Sequence, residues 1–202
     1  MSAWIRIIQF AESSGYLRHL YERIRGPQGA IDNVMKVHSL RPHTMEGHWI
    51  LYKSVMHHAD NTLPGWFHEC MAVYTGLCND CGYSVAHHFA GLKRLLNDDA
   101  RAGAIYDALA ARAPERAFSG KELALLRYVR KLTQAPQFVV EEDIRAVRAA
   151  GADDGEILEA NQVCAYFNYS NRLLNGLGVS TEGDVLGLSP SSSADLALSA
   201  HR

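Results

Sequence analysis

Three shortages narrow this sequence before any motif is considered. It has no long hydrophobic run: the longest apolar stretches fall well short of the roughly 20 residues a membrane helix needs, so no membrane association is expected. It has no excess of charge of one sign. The 20 Lys and Arg against 22 Asp and Glu leave a formal charge of -2, whereas a nucleic-acid binder shows a basic excess or stripe. Cysteine is scarce, at four residues, which argues against a disulfide scaffold. The N-terminal stretch Met1–Phe10 carries Trp4, Ile5, Ile7 and Ile8, but Arg6 interrupts it and no small-residue cleavage site precedes Glu12. It does not read as a secretory signal, and the expected compartment is the cytoplasm.

What remains is a chain of ordinary globular composition, 48% hydrophobic and 21% charged, long enough for one well-filled core. Its apolar residues recur at helical spacing nearly throughout. Tyr16, Leu17, Leu20 and Ile24 mark a helix that Gly26-Pro27 ends, and Asn33 to Leu40 reads as a short one stopped before Pro42. Further helices are expected from about Thr44 to His57, from Pro64 to a break at Gly76–Asp80, and from Cys81 to Leu96. Ala104–Ala111, a segment begun by the capping-box pair Ser119 and Glu122, Glu141–Ala150, and about Asp154–Leu177 complete the set. No strand, tandem repeat or linker is evident. The expected fold is an all-α bundle over residues 1–179, followed by a Ser- and Gly-rich tail over 180–202, mobile around Ser189–Ser193.

The chemistry-bearing residues crowd into one stretch, Glu69 to His88. Asn79 or Asp80 can cap the helix that follows, which puts Cys81 in the first turn, where free backbone N–H groups and the helix dipole favour a thiolate. Ser84 and His88 fall on the same face as Cys81, so a thiol, a hydroxyl and an imidazole line one stripe. Glu69 reaches it only from the preceding helix, where a carboxylate beside an imidazole can relay a proton.

At these residues the sequence resembles the AhpD-like alkylhydroperoxidases, in the peroxidase-related branch of the carboxymuconolactone decarboxylase superfamily. That family's pattern is a glutamate, eleven residues, a Cys-x-x-Cys, three residues and a histidine. Here Glu69, Cys81 and His88 match it, and Ser84 stands where the second cysteine belongs. Ser39-Leu40-Arg41-Pro42, Lys131-Leu132-Thr133, and Ala165-Tyr166-Phe167-Asn168 with Asn171-Arg172 extend the likeness to about Val179. The resemblance implies an AhpD-like helical bundle, an antioxidant oxidoreductase with no metal or organic cofactor, a small peroxide or carbonyl substrate, a thiol electron donor, and assembly as a dimer, trimer or hexamer.

Ser84 removes the two-cysteine cycle between positions 81 and 84, since a hydroxyl forms no disulfide and is a poor nucleophile toward peroxide. Four alternatives stand. Cys78-Asn79-Asp80-Cys81 is itself a Cys-x-x-Cys, so Cys78 can resolve a Cys81 sulfenic acid if the turn brings the two together. An external thiol can resolve Cys81 alone. Or Glu69 and His88 serve proton transfer without redox chemistry, as in the decarboxylase branch; loss of activity with retention of the fold is the remaining possibility. Cys78 equally reads as a small residue at a helix end, and Ser84 as bonded to its own backbone. Cys70 and Cys164 read as inert core thiols, and zinc at Cys78 and Cys81 lacks a second ligand pair. His57, His58 and His68 read as scattered singles, His87 as directed elsewhere than His88, and Tyr166, Phe167, Asn168 and Arg172 as a packed structural element.

Overall fold

The computed structural model describes residues 2–26 and 29–187; Pro27 and the Ser189–Ser193 segment lie outside them. Among the described residues the fold is all-α, without a strand. Its α-helices are α1 (Gly15–Ile24), α2 (Asn33–Lys36), α3 (Pro42–His57), α4 (Gly65–Cys78), α5 (Gly82–Leu96), α6 (Asp99–Ala110), α7 (Gly120–Gln134), α8 (Glu141–Ala149) and α9 (Asp154–Gly176). None is long and apolar enough to cross a membrane.

Helix α4 is the axis of the molecule. Every residue from Phe67 to Gly76 is buried, as befits a helix apolar nearly all round. Helices α5, α6, α7 and α9 pack around it, and the main core gathers Phe67, Met71, Tyr74, Leu92, Leu125, Val129 and Phe167. A second cluster joins α1, α2 and α3 through Leu20, Tyr21, Met35, Met45 and Trp49. A third, built from Ala3, Val37, Cys81, Tyr83, Leu174 and Val179, lies where the N-terminal segment runs beside the end of α9. Trp4 N–H donates to the Leu177 carbonyl at 2.8 Å, and Ser180 N–H to that of Ser2 at 3.0 Å.

Several boundaries differ from the sequence expectation. Helix α2 stops at Lys36, four residues before Leu40, and Pro42 opens α3 instead of merely ending its predecessor; a proline at the first helical position gives up an N–H that had no partner anyway. Ser119 does cap α7, but its side chain makes no capping bond. The larger correction concerns α5. Its N-cap is Cys81, not Asn79 or Asp80. Asn79 instead caps the end of α4, and Asp80 follows with φ +50°. The Cys81 N–H bonds to the Gly76 carbonyl (2.9 Å) and the Asp80 N–H to that of Leu77 (3.4 Å), the paired bonds of a Schellman turn. The Cys81 N–H thus closes the end of α4 while the same residue caps α5. The reversal lays α5 back along α4.

The end of the described chain is also packed. Asp184 buries its side chain fully, accepting from the Asn33 N–H at 3.0 Å and the Tyr83 hydroxyl at 2.6 Å. Asn33 Nδ2 donates to the carbonyls of Ser180 and Glu182, both at 2.9 Å. Gly187, at φ +74°, lies so close to α5 that an added Cβ would stand 2.8 Å from Ala90. Residues 180–187 thus form a strap across α2 and α5.

Candidate active site

The α4–α5 reversal brings Glu69 against the middle of α5. Glu69 is only 3% exposed, and its Oε2 accepts from His88 Nδ1 at 2.6 Å. With the ring donating in that bond, the hydrogen sits on Nδ1 and Nε2 is left with its lone pair. The ring is held further by an edge-on contact with Phe167, centroids 4.6 Å apart. A glycine makes the pairing possible. A Cβ on Gly91, one turn beyond His88, would lie 2.8 Å from Glu69 Oε1 and 2.9 Å from its Cδ. Gly91→Ala is expected to destabilise the protein, since overpacking costs about 1–3 kcal/mol against a gain of about 1 kcal/mol in helix propensity. Thermal unfolding reads it; a variant more stable than wild type would refute the close approach.

Glu69, Ser84, His88 and Gly91 open on a cavity of about 90 Å³, walled also by Tyr52, Tyr166 and Phe167. An apolar cavity that takes benzene is about 150 Å³, so this one suits an occupant of a few heavy atoms. The strap supplies part of its wall through Val185 and Gly187. Asp32 lines it too, and burial pushes that carboxyl up to about 6, opposed by the nearby His87.

The thiols stand elsewhere. Cys81 is 1% exposed and packs with Ala3, Val37, Leu174 and Val179; it is not among the cavity walls. Burial pushes its thiol up, and the amides of Ser84 and Tyr83 at the start of α5 only partly counter this. The expectation of a helix-start thiolate is therefore corrected: desolvation outweighs the helix terminus. Cys78 packs against the main core instead, and burial raises it as well, against Arg112 and Arg130. Both are free thiols in different clusters, because the chain reverses between them. Cys70 and Cys164 are buried free thiols pushed up by desolvation.

Other residues acquire definite places. His87 pairs with Asp184 at 3.3 Å and stacks on Tyr83, centroids 4.5 Å apart. His57 lies against Tyr52 at 3.1 Å and burial holds it down to about 3, while His68 faces Glu159 at 3.4 Å. Asn168 and Arg172 are structural: Asn79 Nδ2 donates to Asn168 Oδ1 (3.1 Å), Arg172 clasps Asn168 (2.7 and 2.8 Å), and Asn175 holds the Asn79 carbonyl (3.0 Å). Together they pin the α4–α5 turn. Tyr166 and Phe167 belong to the cavity. Tyr52, His48, Asp32 and Gly91 had no signal in the sequence beyond helical spacing, since they converge from α3, the α2 entry and α5 only in the folded chain.

No family model and no curated protein matches the sequence. Solved structures do match in shape. An uncharacterized peroxidase-related protein with an AhpD core from Ralstonia eutropha JMP134 is 22% identical, with a TM-score of 0.80 over 95% of this chain and 99% of that one. A peroxidase-related protein from Silicibacter sp. TM1040 is 19% identical, with 0.78 over 91% and 93%. The debrominase Bmp8 is 13% identical, with 0.70 over 98% and 95%. Likeness at this level of identity speaks for architecture: the chain has the AhpD-like all-α fold.

Proposed function

We propose that the protein is an enzyme in which the Glu69-held His88 is a general base toward a small carbonyl or lactone substrate. The carrying observation is the 2.6 Å bond from His88 Nδ1 to a buried carboxylate at the wall of a cavity that no cysteine lines. Glu69 fixes the tautomer and ring orientation and stabilises the imidazolium that forms, so Nε2 is the nitrogen that accepts a proton. The proton comes from the carbon beside the substrate carbonyl. The C–H electron pair becomes a C=C bond, the carbonyl π pair moves to oxygen, and His88 later returns the proton to a carbon or to solvent. Ser84, one turn before His88 in the same wall, supplies a hydroxyl where a thiol would make the site a redox centre.

A second reading, reduction of peroxides through Cys81, is favoured by one observation. The cysteine caps α5, where the Ser84 and Tyr83 amides lower its thiol relative to burial alone. Its attack on a peroxide would break the O–O bond and leave a sulfenic acid for a second thiol to reduce. Homo-oligomerisation belongs with either reading.

Deuterium uptake at the α-carbon of γ-butyrolactone and cyclopentanone, followed by proton NMR in heavy water, separates the two. The expected result is catalysed exchange that falls about 10²–10⁴-fold in His88→Gln and persists in Cys81→Ser. Hydroperoxide consumption abolished by Cys81→Ser, with no α-exchange by wild type, would overturn the acid–base reading.

A further inference from the structure

A second imidazole network reaches the cavity from α3 and α9. Tyr166 on α9 is 5% exposed and, with His48 of α3, lines the cavity; its hydroxyl lies 3.0 Å from His48 Nε2. The hydrogen positions follow from the partners. The Thr44 hydroxyl donates to the Arg41 carbonyl at 2.8 Å, so at its 3.0 Å contact with His38 Nδ1 it can only accept. His38 therefore carries its hydrogen on Nδ1, and its buried, partnerless Nε2 is a bare lone pair. His48 Nδ1 is likewise buried without a partner, and the His38 and His48 rings lie 4.9 Å apart. A stranded N–H costs more than a stranded lone pair. The hydrogen of His48 accordingly sits on Nε2 and is donated to the Tyr166 oxygen. Ser170, one turn along α9 in the same wall, is a second hydrogen-bond partner of the phenol. With the His48 hydrogen on its oxygen, the phenol's own hydrogen is directed to the Ser170 oxygen or to an acceptor in the cavity.

We propose that Tyr166 is a catalytic hydrogen-bond donor, presented by His48 and Ser170 to the carbonyl oxygen of the substrate whose α-carbon faces His88. The inference rests on the general-base reading of His88 and adds the group that receives the charge His88 generates. Both groups line one cavity and share Phe167 as a neighbour, its centroid 4.6 Å from that of His88 and 5.0 Å from that of Tyr166. When the α-proton leaves, negative charge gathers on the carbonyl oxygen, and a donor held in the cavity wall stabilises the enolate with little reorganisation. Burial holds the phenol far above its ordinary ionisation range, so it keeps its hydrogen at any working pH. The substrate class becomes more definite: a compact ketone or lactone bearing a hydrogen beside its carbonyl.

The test uses the full chain with cyclopentanone and γ-butyrolactone as probes. Tyr166→Phe is expected to lower the exchange rate at saturation by about 10²-fold, the usual effect of one such donor, with KM little changed. The infrared carbonyl band of bound cyclopentanone is expected to lie below its free position in wild type and in His88→Gln, and to return to it in Tyr166→Phe. His48→Asn, which leaves the phenol in place but loosens it, is expected to cut exchange less and shift the band partway. Exchange and band both unchanged in Tyr166→Phe would overturn the proposal, while a loss in His88→Gln leaves the base assignment standing. A band that moves only in variants with altered thermal unfolding would mark Tyr166 as structural and overturn it equally. Wild-type protein that exchanges neither probe overturns the base assignment and this inference with it.

Discussion

Ser84→Cys is expected to turn the protein into a hydroperoxide reductase, with peroxide consumption in the presence of dithiothreitol about 10²-fold or more above wild type. Position 84 is in the cavity wall beside the Glu69–His88 pair, whereas the native Cys81 is sealed among apolar side chains. A thiol at 84 gains what Cys81 lacks, a base within the same cavity. His88 takes the thiol proton, and the thiolate attacks the peroxide so that the O–O bond breaks. The departing oxygen recovers the proton, leaving a sulfenic acid on residue 84. Cys81, at the N-cap three residues earlier, then condenses with it, releasing water and forming a disulfide that dithiothreitol reduces. Mass spectrometry after peroxide treatment is expected to show the 81–84 linkage. A folded variant whose new thiol neither consumes peroxide nor pairs with Cys81 would mean that His88 does not serve that position.

Stability is expected to fall steeply as the solution is acidified below neutrality, earlier than carboxylate protonation alone would produce. Burial holds His48 and His57 down to about 3 and His38 to about 4, against an ordinary value near 6.5. Each is neutral in the folded protein. As pH falls through 6.5 the unfolded chain takes up protons that the folded one refuses, so the stability from neutral burial is complete above 6.5 and is lost below it. Each imidazole contributes about 1.4 kcal/mol per pH unit. Asp32 works the other way: lifted to about 6 by burial, it keeps a proton in the fold that the unfolded chain releases, and it offsets one imidazole between about pH 6 and 4. The net slope is roughly 3 kcal/mol per pH unit, large against a total stability of about 5–15 kcal/mol. Urea unfolding at pH 7.5, 6.5 and 5.5 measures it, and His48→Asn is expected to remove about one proton's share. A flat profile over that range would contradict neutral, buried imidazoles.

Much of the bundle was legible because helix formation is local. The segments that became α3, α4, α5, α7 and α9 show their apolar spacing and their Pro and Gly boundaries without reference to the rest of the chain. The Glu69, Ser84 and His88 group was legible for a related reason: two positions share one turn-spaced face of a single helix, and the third lies on the helix joined to it by a short turn. Hidden from that reading were the members that arrive from distant segments. Asp184 reaches Tyr83 and His87 across about a hundred residues of sequence, and His48 meets Tyr166 from more than a hundred residues away. Gly91 looks like a weak point in a helix until the Glu69 carboxylate is seen resting on it.

The fate of Cys81 marks the division most plainly. Sequence alone determined the helices, the turn between α4 and α5, and the presence of a cysteine at the start of α5, since these depend on neighbours along the chain. Whether that cysteine is a thiolate depends on what covers it. Only the tertiary structure brought Ala3, Val37, Leu174 and Val179 over its sulfur, and desolvation by residues so far apart in the chain outweighs the local pull of a helix terminus.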